Sequence, residues 1–155
     1  MSERDLVTYC GLYCDLCAER RRIPQQAAAL RESMRQEDYE LWAAELPGFR
    51  EFWMFLASLC DREQTCPGCR QGGGPPFCTL RKCAQERKVE TCPLCDDYPC
   101  QQIRAFAQAY TIILGDGQRM REIGLEAWIA EQRERACTGF VYADIRCRSA
   151  QGPSQ

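Results

Sequence analysis

The sequence predicts a mainly α-helical protein, in which a small helical core carries an irregular, cysteine-rich lobe of zinc-knuckle turns and few short β-strands. Apolar residues recur at helical spacing in segments before and after the cysteine-rich middle of the chain, whereas the alternation of apolar and polar residues that is typical of strands is scarce. The 155 residues include 13 cysteines and no histidine. Clustered thiols hold short turns together when they bind a metal. We therefore expect helices to form the core and metal to fix the lobe.

We expect these parts to form a single domain over residues 1–148, followed by a disordered tail at 149–155. A chain of this length, with 45% hydrophobic residues, can bury a core of its own. The expected segments are, in order, a cysteine triplet at 8–20, a helical segment at 24–61, a cysteine-rich metal lobe at 62–100 and C-terminal helices at 101–135.

The first helical segment predicts three helices. Pro24 suits a first helical turn, and residues 25–35 are mostly strong helix formers. Residues 37–46 predict a second helix that Pro47–Gly48 ends, and a third runs from Phe49 to about Cys60. The buried face of this third helix is expected to carry residues spaced three and four apart: Phe49, Phe52, Trp53, Leu56, Leu59 and Cys60.

Two further helices are predicted after the cysteine-rich lobe. The first begins near Pro99 and ends at Gly115–Gly117, and the second runs from about Gln118 to Arg135. The apolar stripe of the first consists of Ile103, Phe106, Tyr110, Ile113 and Leu114. Short strands are expected only at Val7–Tyr9 and Phe140–Ile145.

Charge and the N-terminus bear on partners and compartment. The chain has 20 basic and 22 acidic residues, a net charge of −2, which argues against a protein that coats nucleic acid or an anionic membrane. Met1–Asp5 has mixed charge with no apolar run behind it, unlike a signal peptide, and no stretch approaches about 18 apolar residues. We expect a cytoplasmic protein whose reduced thiols bind metal or act in redox chemistry.

The absence of histidine narrows the chemistry. It excludes Ser-His-Asp and Cys-His nucleophile arrangements, and histidine-ligated zinc hydrolase sites as well. Any metal site must consist of thiolates, with at most a carboxylate added. Closed all-sulfur sites are the usual form of structural zinc and a poor form for catalysis, so the composition favours a binding or adaptor module over an enzyme.

Ten cysteines form the expected metal-binding set. Three CxxC units stand out, because two intervening residues allow both sulfurs of a tight turn to bind one tetrahedral ion at about 2.3 Å. The full set is Cys10, Cys14, Cys17, Cys66, Cys69, Cys78, Cys83, Cys92, Cys95 and Cys100. A zinc ion held by four thiolates keeps two negative charges, which makes the lobe a poor binder of phosphate.

The pairing of these cysteines stays open at this point. In the favoured scheme, the Cys66–Cys69 unit pairs with Cys78 and Cys83 around a glycine-rich loop. The Cys92–Cys95 unit and Cys100 then take a fourth ligand from the N-terminal triplet. In the alternative, the two CxxC units of the lobe pair with each other, although their separation slightly exceeds the usual spacing of about 15–20 residues.

Zinc is the expected metal, and an iron–sulfur cluster is the alternative, since thiolates bind both. The spacing Cys10-x3-Cys14-x2-Cys17 matches that of radical S-adenosylmethionine enzymes, but a helical chain of this size leaves no room for their barrel. The string Cys17–Arg20 matches a tetrapeptide of the zinc cytidine deaminases, but the mixed sheet that those enzymes require is not predicted here. Two alternatives remain: a redox protein or enzyme with a cluster at the triplet, and a thiol-based sensor in which Cys10 or Cys100 is free.

Three cysteines fall outside the metal-binding set. Cys60 lies on the expected buried face of a helix, and Cys137 and Cys147 flank a hairpin-like stretch. Free cysteine often packs as a small hydrophobic residue, so packing is the expected role of all three.

The ordered cysteine pattern resembles the prokaryotic, cysteine-rich family called domain of unknown function 3795. The shared features are a CGxxCxxC start (Cys10–Cys17), a CxGC unit (Cys66–Cys69), a cysteine-rich turn (Cys78–Cys83) and a CxxCxxxPC close (Cys92–Cys100). The match covers about residues 8–110 and implies zinc binding, with no reaction attached. We expect a zinc-binding protein with structural all-cysteine sites, which acts as a binding or adaptor module for a protein partner.

Overall fold

The computed structural model describes residues 2–61 and 65–146. The α-helices within these residues are α1 (Arg22–Gln36), α2 (Tyr39–Trp42), α3 (Phe49–Leu59), α4 (Thr79–Glu86), α5 (Gln101–Phe106), α6 (Ile112–Ile123) and α7 (Leu125–Cys137). The prediction of a mainly helical protein is confirmed. No helix among the described residues is long and apolar enough to cross a bilayer. The tail expected at 149–155 lies outside the described residues.

The chain divides into two compact units. In the described chain, the first comprises residues 2–17 and 68–146, which include α4 to α7, and the second comprises residues 18–61 and 65–67, which include α1 to α3. The single domain expected over residues 1–148 stays a prediction.

The second unit is built on α1, which packs against both α2 and α3. Leu56 of α3 is its buried anchor, only 4% exposed. Trp53 of α3 donates from Nε1 to Glu40 Oε1 of α2 at 2.9 Å, and the guanidinium of Arg31 of α1 lies 4.9 Å from the centre of the Trp53 ring. These contacts fasten α3 to both other helices.

Two expectations for the second unit are wrong. The helix expected at 37–46 is confined to Tyr39–Trp42, because Asp38 takes a left-handed conformation (φ 55°) immediately before it. The aromatic face of α3 is also less buried than expected, since Phe52 is 42% exposed. Only α1 and α2 pack beside α3 in this unit, so Phe52 and Phe55 stay exposed while Phe49 and Trp53 are half-buried.

The core of the first unit centres on Trp128 of α7, which is fully buried. Its ring meets that of Tyr13 edge-on, with centroids 6.2 Å apart, and the backbone N–H of Tyr13 donates to Tyr142 Oη at 2.9 Å. Other fully buried members are Val7, Leu16, Ile103, Ile113 and Met120. The N-terminal turn is therefore part of the core that the C-terminal helices form.

The C-terminal helices break at different places from those expected. The apolar stripe after the lobe is divided between α5 and α6, and α6 runs through Gly115 and Gly117 instead of ending there. The break comes at Gly124, whose φ of 83° separates α6 from α7. Gly117 fits a helix interior here because the Tyr98 ring lies in the space that a side chain would fill.

The two short strands expected from the sequence do not form. Val7 makes only a single antiparallel bridge, to Tyr13, which is the one β pairing among the described residues. The segment expected at 140–145 contains a 3-10 turn at Tyr142–Asp144. Asp144 Oδ2 accepts a hydrogen bond from the Val141 N–H at 3.1 Å, which closes this turn locally and takes the place of strand pairing.

Candidate metal centre

The sequence Cys92-Pro-Leu-Cys95 forms a 3-10 turn, as a zinc knuckle requires. The N–H of Cys95 donates to the Cys92 carbonyl at 2.9 Å, and that of Leu94 donates to the Thr91 carbonyl at 3.0 Å. Thr91 and Pro93 are fully buried, whereas Leu94 is 42% exposed. Because the turn is fixed on one side, both thiols are available to a common site.

Four thiols from separate segments line one cavity of about 230 Å³ in the first unit. Cys92 and Cys95 come from the knuckle, Cys83 from α4, and Cys100 from the residue that precedes α5. Apolar side chains, among them Leu80 and Ile103, form part of the remaining wall. We call this set of four cysteines the thiol cavity.

The electrostatics of Cys92 agree with this grouping. Burial, and to a lesser extent the neighbouring charges of Cys10, Cys100, Cys83 and Cys95, together raise the pKa of Cys92 to about 12. Loss of a proton therefore costs more at Cys92 than at an isolated thiol, unless a cation is bound beside it.

Two arginines donate hydrogen bonds to the knuckle. Arg87 Nη1 donates to Cys95 Sγ at 3.3 Å and forms an ion pair with Asp97 at 2.5 Å. Arg121 of α6 donates from Nη1 to the carbonyls of Pro93 at 2.9 Å and Cys95 at 3.0 Å. The hydrogen bonds to Asp97 and Cys95 raise the pKa of Arg87, so a positive charge stays at the rim of the thiol cavity.

The N-terminal turn docks directly on the knuckle. Gly11 (φ 94°) lies so close to Pro93 that a built Cβ would be 2.6 Å from its Cγ, which explains the glycine after Cys10. The Cys92 N–H donates to the Tyr9 carbonyl at 2.7 Å. The CGxxC start and the CPxC knuckle are thus one packed structure, although about 80 residues separate them in sequence.

A second group of thiols lies around Cys10. The pKa of Cys10 is raised to about 11, chiefly by burial and also by the charges of Cys69 and Cys78, although the Thr8 hydroxyl 3.1 Å away acts in the opposite direction. Arg70, the residue after Cys69, holds the Cys69 turn against the N-terminal segment. It donates to the carbonyls of Val7 at 2.8 Å and Glu90 at 2.6 Å, and its guanidinium lies over the Tyr9 ring.

The other predicted ligands lie in two turns. Cys14 is buried and Cys17 half-buried in the turn Cys14–Leu16, where the Cys17 N–H donates to the Cys14 carbonyl at 3.0 Å. Cys66 is buried in the second unit, where its carbonyl accepts a hydrogen bond from Arg20. Cys66 belongs to the second unit and Cys69 to the first.

The cavity groups the cysteines differently from both pairing schemes drawn from the sequence. Cys83 lines the same cavity as Cys92, Cys95 and Cys100, whereas the favoured scheme joins it to Cys78. The reason lies in α4, which begins at Thr79 directly after Cys78. This helix carries Cys83 toward the knuckle, while Cys78 stays near Cys10.

The cysteines outside the predicted set differ in their surroundings. Cys60 is half-buried and donates from Sγ to the Leu56 carbonyl at 3.2 Å, as a packed thiol would. Cys137 is exposed at the last residue of α7, so the expectation that it packs in the core is wrong. Cys147 lies outside the described residues.

The sulfur ligands of the thiol cavity are of the chemical type that thiophilic metals prefer. Four cysteine sulfurs with no histidine suit zinc or an iron–sulfur cluster. Within residues 2–61 and 65–146, no three cysteine or carboxylate side chains converge closely enough to hold a single ion as they stand. A zinc ion bound at about 2.3 Å would therefore draw these thiols together.

Two residues that support the site, Arg121 and Tyr98, carry no sequence motif that marks them. For Arg87 the sequence suggests a side chain that offsets thiolate charge or is solvated, and in the structure it donates to Cys95 Sγ. Tyr98 Oη donates to the Ile113 carbonyl at 2.8 Å, which ties the chain before Cys100 to α6. The sequence signal of this contact is Gly117, because a glycine inside a helix often marks a place where another group packs closely.

Comparison with known proteins gives one match. The family model described as "Protein of unknown function (DUF3795)" matches residues 6–105, about two thirds of the chain. No curated protein matches the sequence. No solved structure matches it either. The matched region includes the N-terminal turn, the knuckle and the whole thiol cavity. The chain therefore belongs to DUF3795, a family of proteins of unknown function.

Proposed function

We propose that the protein binds zinc through the thiol cavity, Cys83, Cys92, Cys95 and Cys100, and that this metal is structural. The observation that carries the proposal is that four thiols from three separate segments line one cavity. Unpaired cysteines of ordinary packing role have no reason to gather in this way. Two of them belong to a CxxC turn, the form that tetrahedral zinc sites use most often.

The charge balance around the cavity supports a metal dication. Four thiolates would repel one another strongly, and a zinc ion leaves two negative charges on the site. Arg87 lies on Cys95 and offsets part of this charge. Bound zinc would contribute on the order of 10 kcal/mol to folding of the lobe, because the ligand-bearing turns contain little regular structure of their own.

A closed sulfur site of this kind leaves the metal no open coordination position for catalysis. The proposed role is therefore a binding or adaptor module in which metal fixes the shape of the lobe. A reducing compartment such as the cytoplasm would keep the thiols ready for the metal. The thiols around Cys10 are the candidates for a second site.

The test is metal analysis of protein purified without oxygen, followed by replacement of zinc with cobalt. Tetrahedral cobalt bound to thiolates gives intense visible bands that count its sulfur ligands. We expect zinc in the purified protein, and Cys83→Ser is expected to remove one site's metal. Cys137→Ser is the matched control, because Cys137 is exposed and does not line the cavity.

Three outcomes would count against the proposal. Iron and sulfide in stoichiometric amount, with a brown colour, would replace it by an iron–sulfur protein. A folded protein that takes up no metal would leave only thiol chemistry for these cysteines. Equal metal loss in both variants would show that the cavity is not the site.

A further inference from the structure

The exposed apolar side chains of the second unit are concentrated in one short segment, which the metal proposal does not use. Six of the ten exposed large apolar side chains in the described chain lie within residues 41–55. They are Leu41, Trp42, Leu46, Phe52, Met54 and Phe55. The other four are scattered singly, which is normal for a soluble surface. We call the segment 37–55, which holds α2, the following turns and most of α3, the α2–α3 corner.

The same corner is acidic. Five exposed carboxylates lie within it, namely Glu37, Asp38, Glu40, Glu45 and Glu51, and Arg50 is the segment's own cation. Glu40 is paired with Arg35 of α1 at 3.6 Å, so α1 offsets part of this negative charge. The segment's net charge of −4 is twice that of the whole chain, which is −2. Apolar side chains bordered by charge of one sign are typical of a recognition surface, because the charges select the partner while the apolar groups supply affinity.

The corner is held in shape before any partner arrives. Trp42 Nε1 donates to the Glu37 carbonyl at 3.0 Å, and the Trp42 and Tyr39 rings lie with centroids 4.4 Å apart. Trp53 is held by Glu40 and Arg31, as described above. Fixed aromatic side chains lose little freedom on binding, which favours them as anchors.

We propose that the α2–α3 corner docks a basic amphipathic helix of a partner protein, with its apolar face on Leu41, Trp42 and Phe55 and its Lys or Arg side chains beside the carboxylates. The charge excludes the competing occupants. A second copy of this chain would bring acidic surface against acidic surface, and anionic lipid or nucleic acid would meet the same repulsion. This surface shares no residue with the thiol cavity, so the inference goes beyond the metal proposal and stands without it.

The test uses the full chain and a fluorescent helical peptide made only of Leu and Lys, with Leu spaced three and four residues apart. The matched probe has Glu in place of every Lys. We expect saturable binding of the Lys peptide that weakens with added salt, and little binding of the Glu peptide. The double variant Leu41→Ser/Phe55→Ser should weaken binding by about tenfold or more. Both residues are well exposed, at 77% and 63%, so the fold should survive.

The control is Phe77→Ser, which removes an even more exposed aromatic ring, at 83%, outside the corner. The charge-reversal variant Glu45→Lys/Glu51→Lys should reduce binding of the Lys peptide and increase that of the Glu peptide. Equal binding of both peptides, or equal loss in the Phe77→Ser control, would overturn the proposal. A dimer that dissociates in Leu41→Ser/Phe55→Ser would make a second copy the occupant, and would overturn it too.

Discussion

Two glycines in one helix make the packing of α6 against the lobe measurable. A Cβ built on Gly117 would lie 2.5 Å from Tyr98 Cζ and nearer still to its hydroxyl oxygen. A Cβ on Gly115, in the same helix, would meet nothing within 4 Å. The pair Gly117→Ala and Gly115→Ala therefore adds the same methyl group to the same helix, once into a filled space and once into solvent.

The expected free energies have opposite signs. Overpacking costs about 1–3 kcal/mol, and displacement of Tyr98 from the Ile113 carbonyl adds about 0.5–1.5 kcal/mol. Alanine returns about 1 kcal/mol through its helix propensity. Gly117→Ala should thus destabilise by about 0.5–3.5 kcal/mol, whereas Gly115→Ala should stabilise by up to about 1 kcal/mol.

Urea unfolding followed by far-UV circular dichroism measures both changes. The helix-propensity gain is common to both variants, so they should differ by about 1.5–4.5 kcal/mol, which corresponds to a Tm separation of several degrees for a chain of this size. Tyr98→Phe in the Gly117→Ala background removes the nearest atom, so the double variant should lose less than the two single losses combined. Equal stability of Gly117→Ala and Gly115→Ala would refute the reasoning.

Three further predictions concern the site and the core. Arg87→Gln should weaken metal binding several-fold in a competition with a chromophoric chelator, less than the 10–100-fold known for buried outer-shell groups. Arg119→Gln, which breaks an ion pair with Glu131 of α7 instead of a contact to a cysteine, should not. Tyr142→Phe leaves the buried Tyr13 N–H without its acceptor and should cost about 1–3 kcal/mol in denaturant unfolding. Burial raises the pKa of Asp116 despite its contact with Arg135, so the native state holds a proton longer than the unfolded chain. Stability should then fall as the pH rises from about 3.8 through the raised value, and this slope should vanish in an Asp116→Asn variant; a profile identical to wild type would contradict it.

The sequence was informative where local chemistry decides the outcome. The CPxC spacing and Pro93 predict the knuckle turn. The helix formers after Pro24 predict α1, and apolar spacing predicts α3, each to within a few residues. These features depend on neighbours in the chain, which periodicity and turn preferences describe well.

Contacts between distant residues decided the rest. Gly117 reads as a helix stop, but the Tyr98 ring fills its side-chain space and keeps it inside α6. The favoured pairing scheme groups Cys83 with Cys78, whereas α4 places Cys83 in the wall of the same cavity as Cys92. Both depend on tertiary packing, which overrides the local preference of a residue and leaves no periodic trace in the chain.

The hydrogen bonds of Arg121 and Tyr98 couple the stability of the thiol cavity to helices that hold none of its four cysteines. Through them, α6 is bonded to the knuckle and to the segment that leads into Cys100. A ligand that binds only the folded lobe stabilises every element whose opening would break that lobe. Metal uptake should therefore slow amide exchange in α6 and in α7, which packs on it, so that the C-terminal helices report the metal state of a site to which they contribute no ligand.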